Sequence, residues 1–251
     1  MHRTKEQKDL SWQAGRNSSP ACLSCDKRLH NQWKVLDEEQ LRDLNTVKSC
    51  NTYQPGQVIF YQGNPCMGLY CIEAGTVALR KIDIHGNSVV IKLAHDGQTL
   101  GYRAFFSNTE YSVSAEAVTA CRICFIPRDF VRDILLKNLQ FGYEYLSRLA
   151  TDLGESEDEK MKMSTLPVRT RLAHLLLSLK EHYGHVGDDG VLTIDLPISR
   201  QDMASMLAIR PETLSRAIRA LEKDEVALFD RQSAAIADLD ALLDEIENPI
   251  P

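Results

Sequence analysis

The sequence has no long hydrophobic run, no excess of positive charge and no apolar leader, and each absence narrows what the chain can be. No apolar stretch approaches the roughly 20 residues that span a bilayer. The polar amino terminus lacks a signal-peptide core, so a cytoplasmic location without a membrane partner is expected. Acidic residues outnumber basic ones, 35 to 29, for a net charge of −6. That balance excludes a nonspecific polyanion binder and leaves any affinity for nucleic acid to a local basic patch. Also missing are a phosphate loop, a nucleophile elbow and a zinc-protease motif, so no enzyme is expected.

What is present begins with length. The 251 residues allow one large domain or two modest ones, either able to bury a sizeable core. Seven cysteines in a reducing compartment point to free thiols, metal ligands or redox sensors rather than a disulfide framework. Met1 to Pro20 is polar and without sustained period, a flexible lead-in. Cys22 and Cys25 follow in the spacing CLSC, near His30, and packing positions begin at Trp33, Val35 and Leu36. A lone CxxC fits half of a zinc site, part of an iron–sulfur site, a redox dithiol or two incidental cysteines.

From about Asn51 to Pro127 short alternating segments are bounded by Gly, Pro, Asn and Asp. Strands are expected at Gln57 to Tyr61, Gly68 to Glu73, Thr76 to Ile82, Ser88 to Leu93 and Cys121 to Ile126, as in a small β-barrel or roll. After Arg128 the pattern turns helical. Leu139, Tyr143, Leu146, Leu149 and Leu153 recur at three and four, a seam fit for a partner helix. The run GESEDEKMKM then interrupts the stripe with acid, so the second half should pair weakly. Pro167 marks a hinge. Thr170 to Tyr183 reads as an amphipathic helix, Leu192 to Leu196 as a strand, and Val226 to Phe229 with Ala234 to Ile236 as a hairpin.

The stretch ISRQDMASMLAIRPETLSRAIRALEK, from Ile198 to Lys223, reads as a helix-turn-helix. Ser199 precedes Asp202 by three, a capped start; Met203, Met206 and Leu207 are apolar, and Ala204 is small where a second helix packs. Pro211 opens the second helix at no hydrogen-bond cost, with Leu214, Ile218 and Leu221 as its buried stripe. Glu212, Ser215, Arg216 and Arg219 share the opposite face. A glutamate accepts from the cytosine amine, an arginine forks onto guanine, and a serine adapts to a neighbouring base edge. Arg200, Arg210, Thr213 and Arg219 complete the expected DNA-binding set.

PETLSR with ISRQDMASML upstream resembles the recognition region of the CRP/FNR family of bacterial transcription regulators. The segments PGQVIFYQGN, LYCIEAGTVAL and GQTLGYRAFF are similar to that family's sensory roll. Ala208 departs from the glycine often found in the turn, at little cost if the backbone there is not left-handed. The resemblance implies an α+β fold: an amino-terminal segment over 1–32, a β-roll (cupin-like jelly roll) sensor over 33–130, a dimerisation helix over 131–166 and a winged helix-turn-helix over 167–251. It implies a homodimer that binds double-stranded DNA at a TTGA-type palindrome through Glu212, Ser215 and Arg216, and contacts RNA polymerase through a hairpin at His85, Gly86 and Asn87.

The family's cyclic-nucleotide pocket maps onto Gly97-Gln98 and Tyr111-Ser112, where the acid and the phosphate-binding arginine are both absent. Without the guanidinium, cyclic AMP has no evident partner for its phosphate. The FNR branch implies a 4Fe–4S cluster, and Cys22, Cys25 and Cys124 match three of its four ligands. The third amino-terminal position falls on Asn31 or Trp33, and a substitute among Cys50, Cys66, Cys71, Cys121 or His30 must be brought close by the fold. A thiol or other metal switch, the absence of any cofactor, a CxxC redox protein, and a haem or small-ligand sensor acting through the roll all stay open at this point.

Overall fold

The computed structural model describes residues 22–187 and 190–248. The expected lead-in up to Pro20 lies outside them. From Cys22 the chain forms three short 3-10 turns, Cys22–Ser24, Asp26–His30 and Gln32–Val35, then helix α1 (Glu38–Val47). Asp37 and Gln40 cap α1 reciprocally, each side chain taking the other's backbone N–H. The CLSC segment is thus built into the fold, with Cys22 and Trp33 in its core.

Eight strands follow: β1 (Ser49–Tyr53), β2 (Val58–Phe60), β3 (Gly68–Ala74), β4 (Val77–Ile82), β5 (Ser88–Ala94), β6 (Thr99–Leu100), β7 (Ser114–Ala117) and β8 (Cys121–Pro127). They form two four-stranded sheets, ordered β1-β8-β3-β6 and β2-β7-β4-β5, with every recorded pairing antiparallel. Helix α2 (Tyr102–Ser107) lies between β6 and β7. Gly68 has no side chain because Ile126 O would stand 2.1 Å from its Cβ; that close approach lets β3 pair along the end of β8. All five expected strands are present, and β1, β6 and β7 are additions.

Helix α3 (Arg128–Lys137) leads into α4 (Leu139–Thr165), 27 residues long. One face of α4 buries Phe141 and Tyr145 against the roll, where Phe141 meets the Trp33 ring at 4.9 Å. The other carries the seam: Leu139, Tyr143, Leu146 and Leu153 are exposed and Leu149 is half-buried. Asp152 and Glu155 turn to the roll and receive Lys92 of β5 at 3.2 and 3.0 Å, so acid here anchors the helix to the roll. No helix among the described residues is long and apolar enough to cross a membrane.

The carboxy-terminal part comprises α5 (Val168–Tyr183), β9 (Gly184–Val186), β10 (Leu192–Asp195), α6 (Arg200–Met206), α7 (Pro211–Lys223), β11 (Leu228–Phe229), β12 (Ser233–Ile236) and α8 (Leu239–Glu247). Its sheet runs β11-β12-β10-β9. Arg169 of α5 reaches Glu245 of α8 at 2.6 Å and also pairs with Asp224 beyond α7, tying the ends of this part together.

Its core does not stop at Pro167. Ala78, Val90 and Leu93, from the outer faces of β4 and β5, pack into the same cluster as Leu172, Leu176, Met203 and Leu207. Val77, one residue from Ala78, belongs to the roll's core instead. Successive residues of a strand point to opposite faces, so β4 is a wall shared by two cores. Polar contacts ring this junction: Val90 N donates to Ser205 Oγ at 3.3 Å, Tyr183 Oη to Thr76 Oγ1 at 2.6 Å, and the His95 and His182 rings stack 3.7 Å apart.

Candidate nucleic-acid interface and cysteine cavity

Ser199 caps α6 as its sequence predicts, its hydroxyl accepting from Asp202 N at 3.1 Å. The turn to α7 is sharp because Ala208 takes φ 52°, where Ile209 N returns to Ala204 O at 3.0 Å. The condition under which alanine would cost little is therefore not met. A left-handed alanine is strained by about 1–2 kcal/mol.

Pro211 is the first residue of α7, and Leu214, Ala217 and Leu221 are buried behind it, with Ile218 half-buried. Glu212, Ser215, Arg216 and Arg219 are exposed on the outer face. Arg216 Nη2 donates to Thr213 Oγ1 at 3.2 Å, laying the guanidinium along the helix one turn from its start. Arg210 is exposed just before Pro211. Arg200 has a different role. Its guanidinium stacks 5.0 Å over the Phe229 ring, donates from Nη2 to Asp230 O at 2.7 Å, and is pushed below its usual range by burial. It thereby fixes α6 to the β11–β12 hairpin. A cleft of about 240 Å³ between α7 and this hairpin brings Arg200, Ser215 and Arg219 together, with Phe229 as its apolar wall.

The acid in the first helix looks the other way. Asp202 accepts from Arg80 Nη1 of β4 at 2.6 Å, and Glu116 of β7 is the second carboxylate on Arg80. This bond between roll and helix-turn-helix joins residues 122 apart and has no local sequence signal.

The residues aligned with a cyclic-nucleotide pocket are engaged in packing and backbone pairing. Tyr111 is buried, stacks on Phe60 at 4.2 Å and donates its hydroxyl to Gly68 O at 2.9 Å, while Ser112 is exposed. Gly97 and Gln98 form the turn before β6, where Gly97 N donates to Ile72 O and Gln98 O accepts from Ile72 N. Core packing fills the position where a guanidinium would be needed.

The cysteines do converge. Cys22, Cys25, Cys71 and Cys124 line one apolar cavity of about 50 Å³, with Asn31 and Trp33. Burial raises the Cys22 thiol and pushes Cys71 up to about 12. Cys124 is not a free ligand: it is bonded to Cys50, which corrects the expectation of Cys124 as an available roll ligand, while the other five cysteines are free thiols. Asn31 and Trp33, the two residues on which the third amino-terminal ligand position can fall, are both buried, and Asn31 is committed. Its amide donates to Gly97 O at 2.9 Å and its oxygen accepts from Trp33 N at 2.9 Å. A four-iron cluster held by the set Cys22, Cys25 and Cys124 does not fit these residues. Among the described residues the one grouping of metal-type side chains is Cys50, Glu73 and Cys124, and both of its sulfurs are spent on the disulfide.

Two family models match the chain, the cyclic nucleotide-binding domain over residues 50–138 and the Crp-like helix-turn-helix domain over residues 170–245. The anaerobic regulatory protein of Pasteurella multocida is 24% identical over 211 residues, covering 84% of this chain and 77% of its own length. The transcriptional activator protein FnrL of Cereibacter sphaeroides is 25% identical over 234 residues, covering 89% of this chain and 91% of its own. Among solved structures, a CRP/FNR-family transcriptional regulator from Thermus thermophilus superposes with a TM-score of 0.67 at 23% identity, over 80% of this chain and 99% of that one. That likeness is one of fold.

Proposed function

We propose, for a chain that belongs to the CRP/FNR family of transcription regulators, that it works as a homodimer reading a TTGA-type palindrome and answering to redox state rather than to cyclic AMP. The observation that carries the reading is the outer face of α7, where Glu212, Ser215 and Arg216 stand exposed over a buried stripe at one end of a proline-led, wing-braced helix. Arg216 forks onto guanine, Glu212 accepts from the cytosine of the opposite strand, and Ser215 meets a flanking thymine. Arg210, Thr213 and Arg219 hold the phosphates on either side, while Arg200 braces the wing beside them.

Two such helices must enter successive major grooves, with half-sites about one helical turn apart. The exposed face of α4, Leu139, Tyr143, Leu146 and Leu153 with Leu149 at its margin, supports pairing with the same helix of a second copy. The buried Tyr111, where a phosphate partner is needed, supports a signal other than cyclic AMP. The β4–β5 hairpin tip, where Ile84 is 95% exposed beside His85, Gly86 and Asn87, supports a contact with RNA polymerase.

The test is binding to a duplex with two TTGA half-sites against one in which each guanine is exchanged for adenine. A specific dimer footprint on the first and salt-sensitive, unfootprinted binding on the second are expected. Equal binding to both would remove the base-reading assignment.

A further inference from the structure

Cys50 of β1 is the register partner of Cys124 of β8, and Cys124 is in turn the partner of Cys71 of β3. Directly opposed residues of antiparallel strands project on one face, so three cysteines stand in a row across three strands. The CLSC turn is laid over that row, because Cys22 and Cys25 line the same cavity as Cys71 and Cys124. Five of the seven cysteines therefore meet at one place, and the DNA-reading face uses none of them.

Their states differ in a way that suits exchange. Cys50 and Cys124 are joined, while Cys22, Cys25 and Cys71 are thiols. Cys22 is buried and Cys25 half-exposed, so Cys25 is the end of the CLSC pair that solvent and small reagents reach. Cys71 sits against Thr99 Oγ1 at 3.6 Å, its thiol held protonated by burial, and a thiol rather than a thiolate is a poor nucleophile.

We propose that this cavity is a dithiol–disulfide exchange centre, in which the Cys22/Cys25 pair opens and re-forms the cross-strand Cys50–Cys124 bond. In the forward direction the Cys25 thiolate attacks Cys124 Sγ. The bond to Cys50 breaks, and Cys50 leaves with the electron pair and takes a proton from solvent. Cys22, raised by burial but with the Lys48 ammonium beside it favouring its thiolate, then loses its proton to solvent and attacks Cys25 Sγ, and Cys124 leaves in the same way. Cys22 and Cys25 have lost two electrons and two protons, Cys50 and Cys124 have gained them, and no outside co-reactant is consumed. Cys71 takes no part.

The exchange has a mechanical outlet. The CLSC turn is tied to α1 by Cys22 N donating to Asn45 Oδ1 at 3.1 Å. Trp33 donates from Nε1 to Thr99 Oγ1 at 3.1 Å and packs on Phe141 of α4. Closing a Cys22–Cys25 bond reshapes the turn that precedes Trp33, and the cost is felt where the helix with the exposed leucine seam rests on the roll.

The test uses the full chain, reduced without air and re-oxidised with one equivalent of hydrogen peroxide, which makes one disulfide and two waters. Samples are quenched in acid at intervals, alkylated and mapped by peptide mass spectrometry, with zinc and iron content measured on the same protein. A Cys22–Cys25 bond growing as Cys50–Cys124 declines, or the reverse, supports exchange. Cys22→Ser should accumulate a Cys25–Cys124 bond at least tenfold above wild type, and Cys71→Ala should leave the pattern unchanged. If Cys22→Ser does not fold, Cys50→Ser serves instead, with the single disulfide expected at Cys22–Cys25. The proposal is overturned if Cys22 and Cys25 stay alkylatable in every sample, if the new bond joins Cys25 to Cys71, or if a stoichiometric metal is found that Cys71→Ala releases. None of these readouts involves DNA, so they stand or fall separately from the TTGA reading.

Discussion

Arg80 of the roll and Asp202 of the first helix of the helix-turn-helix form an ion pair at 2.6 Å, with 17% and 18% of their side chains exposed. Truncating Arg80 strands Asp202 in a half-buried site, whereas truncating Asp202 leaves Arg80 with Glu116 alone at 3.0 Å. Arg80→Ala and Asp202→Ala should each lower unfolding free energy by about 1–3 kcal/mol. A double-mutant cycle in urea should return a coupling of roughly 1 kcal/mol; zero coupling would mean that the pair contributes nothing to joining the two parts.

The same pair gives an acid limb. Burial works against ionising Asp202, but hydrogen bonds from Arg80 and Ser199 outweigh it and hold the carboxyl below its usual value. A depressed carboxylate pKa stabilises the fold above the unfolded value of about 3.9, and that contribution fades as pH falls through the folded one. Unfolding curves taken from pH 5 downward should separate wild type from Asp202→Asn at pH 5 and converge in strong acid.

His95 should add a second, milder limb. Burial first, then the neighbouring His182, lowers its pKa from 6.5 to about 4, with Asp96 opposing. The neutral ring is the one the fold accepts, so its stability is complete above pH 6.5 and declines as pH falls toward 4. After discounting for solvent screening the loss is on the order of 1 kcal/mol. His95→Gln should flatten thermal stability across that window.

Arg216→Ala should cost about 1–3 kcal/mol in binding to the TTGA duplex and relax preference at one base pair. Arg216→Lys keeps the charge but not the fork, and should restore affinity more than selectivity. Competition titrations against duplexes altered at each position separate the two effects.

Leu146→Glu places a charge in the exposed seam of α4, away from either core. Sedimentation should show monomers, with circular dichroism unchanged, and the two-half-site footprint should disappear. Ala208→Gly acts in the opposite sense, relieving the left-handed turn for a gain of up to about 1 kcal/mol, visible as a raised melting temperature.

How much of this was legible in the sequence depended on whether the signal was local. Ser199, Pro211 and the Leu214 to Leu221 stripe announce their helices because caps and period lie within a few residues. Ser49–Tyr53 and Ser114–Ala117 were missed as strands because SCNTY and SAEA carry little apolar alternation; β7 owes its place to pairing with both β2 and β4. Cys50 and Cys124 are 74 residues apart, and only the β1–β8 register makes them neighbours. Arg80 and Asp202 met for the same reason, through tertiary packing that periodicity does not encode.

Because Val77 and Ala78 face different cores, cutting the chain at Pro167 would not release two finished modules. The amino-terminal fragment would carry a bare apolar patch at Ala78, Val90 and Leu93, and the carboxy-terminal one would lose part of the lid over Met203 and Leu207. Both pieces would be prone to stick to themselves and to each other. Whatever message the roll receives therefore need not cross a slack tether to reach the DNA-reading helices, since it starts on the far side of a single strand.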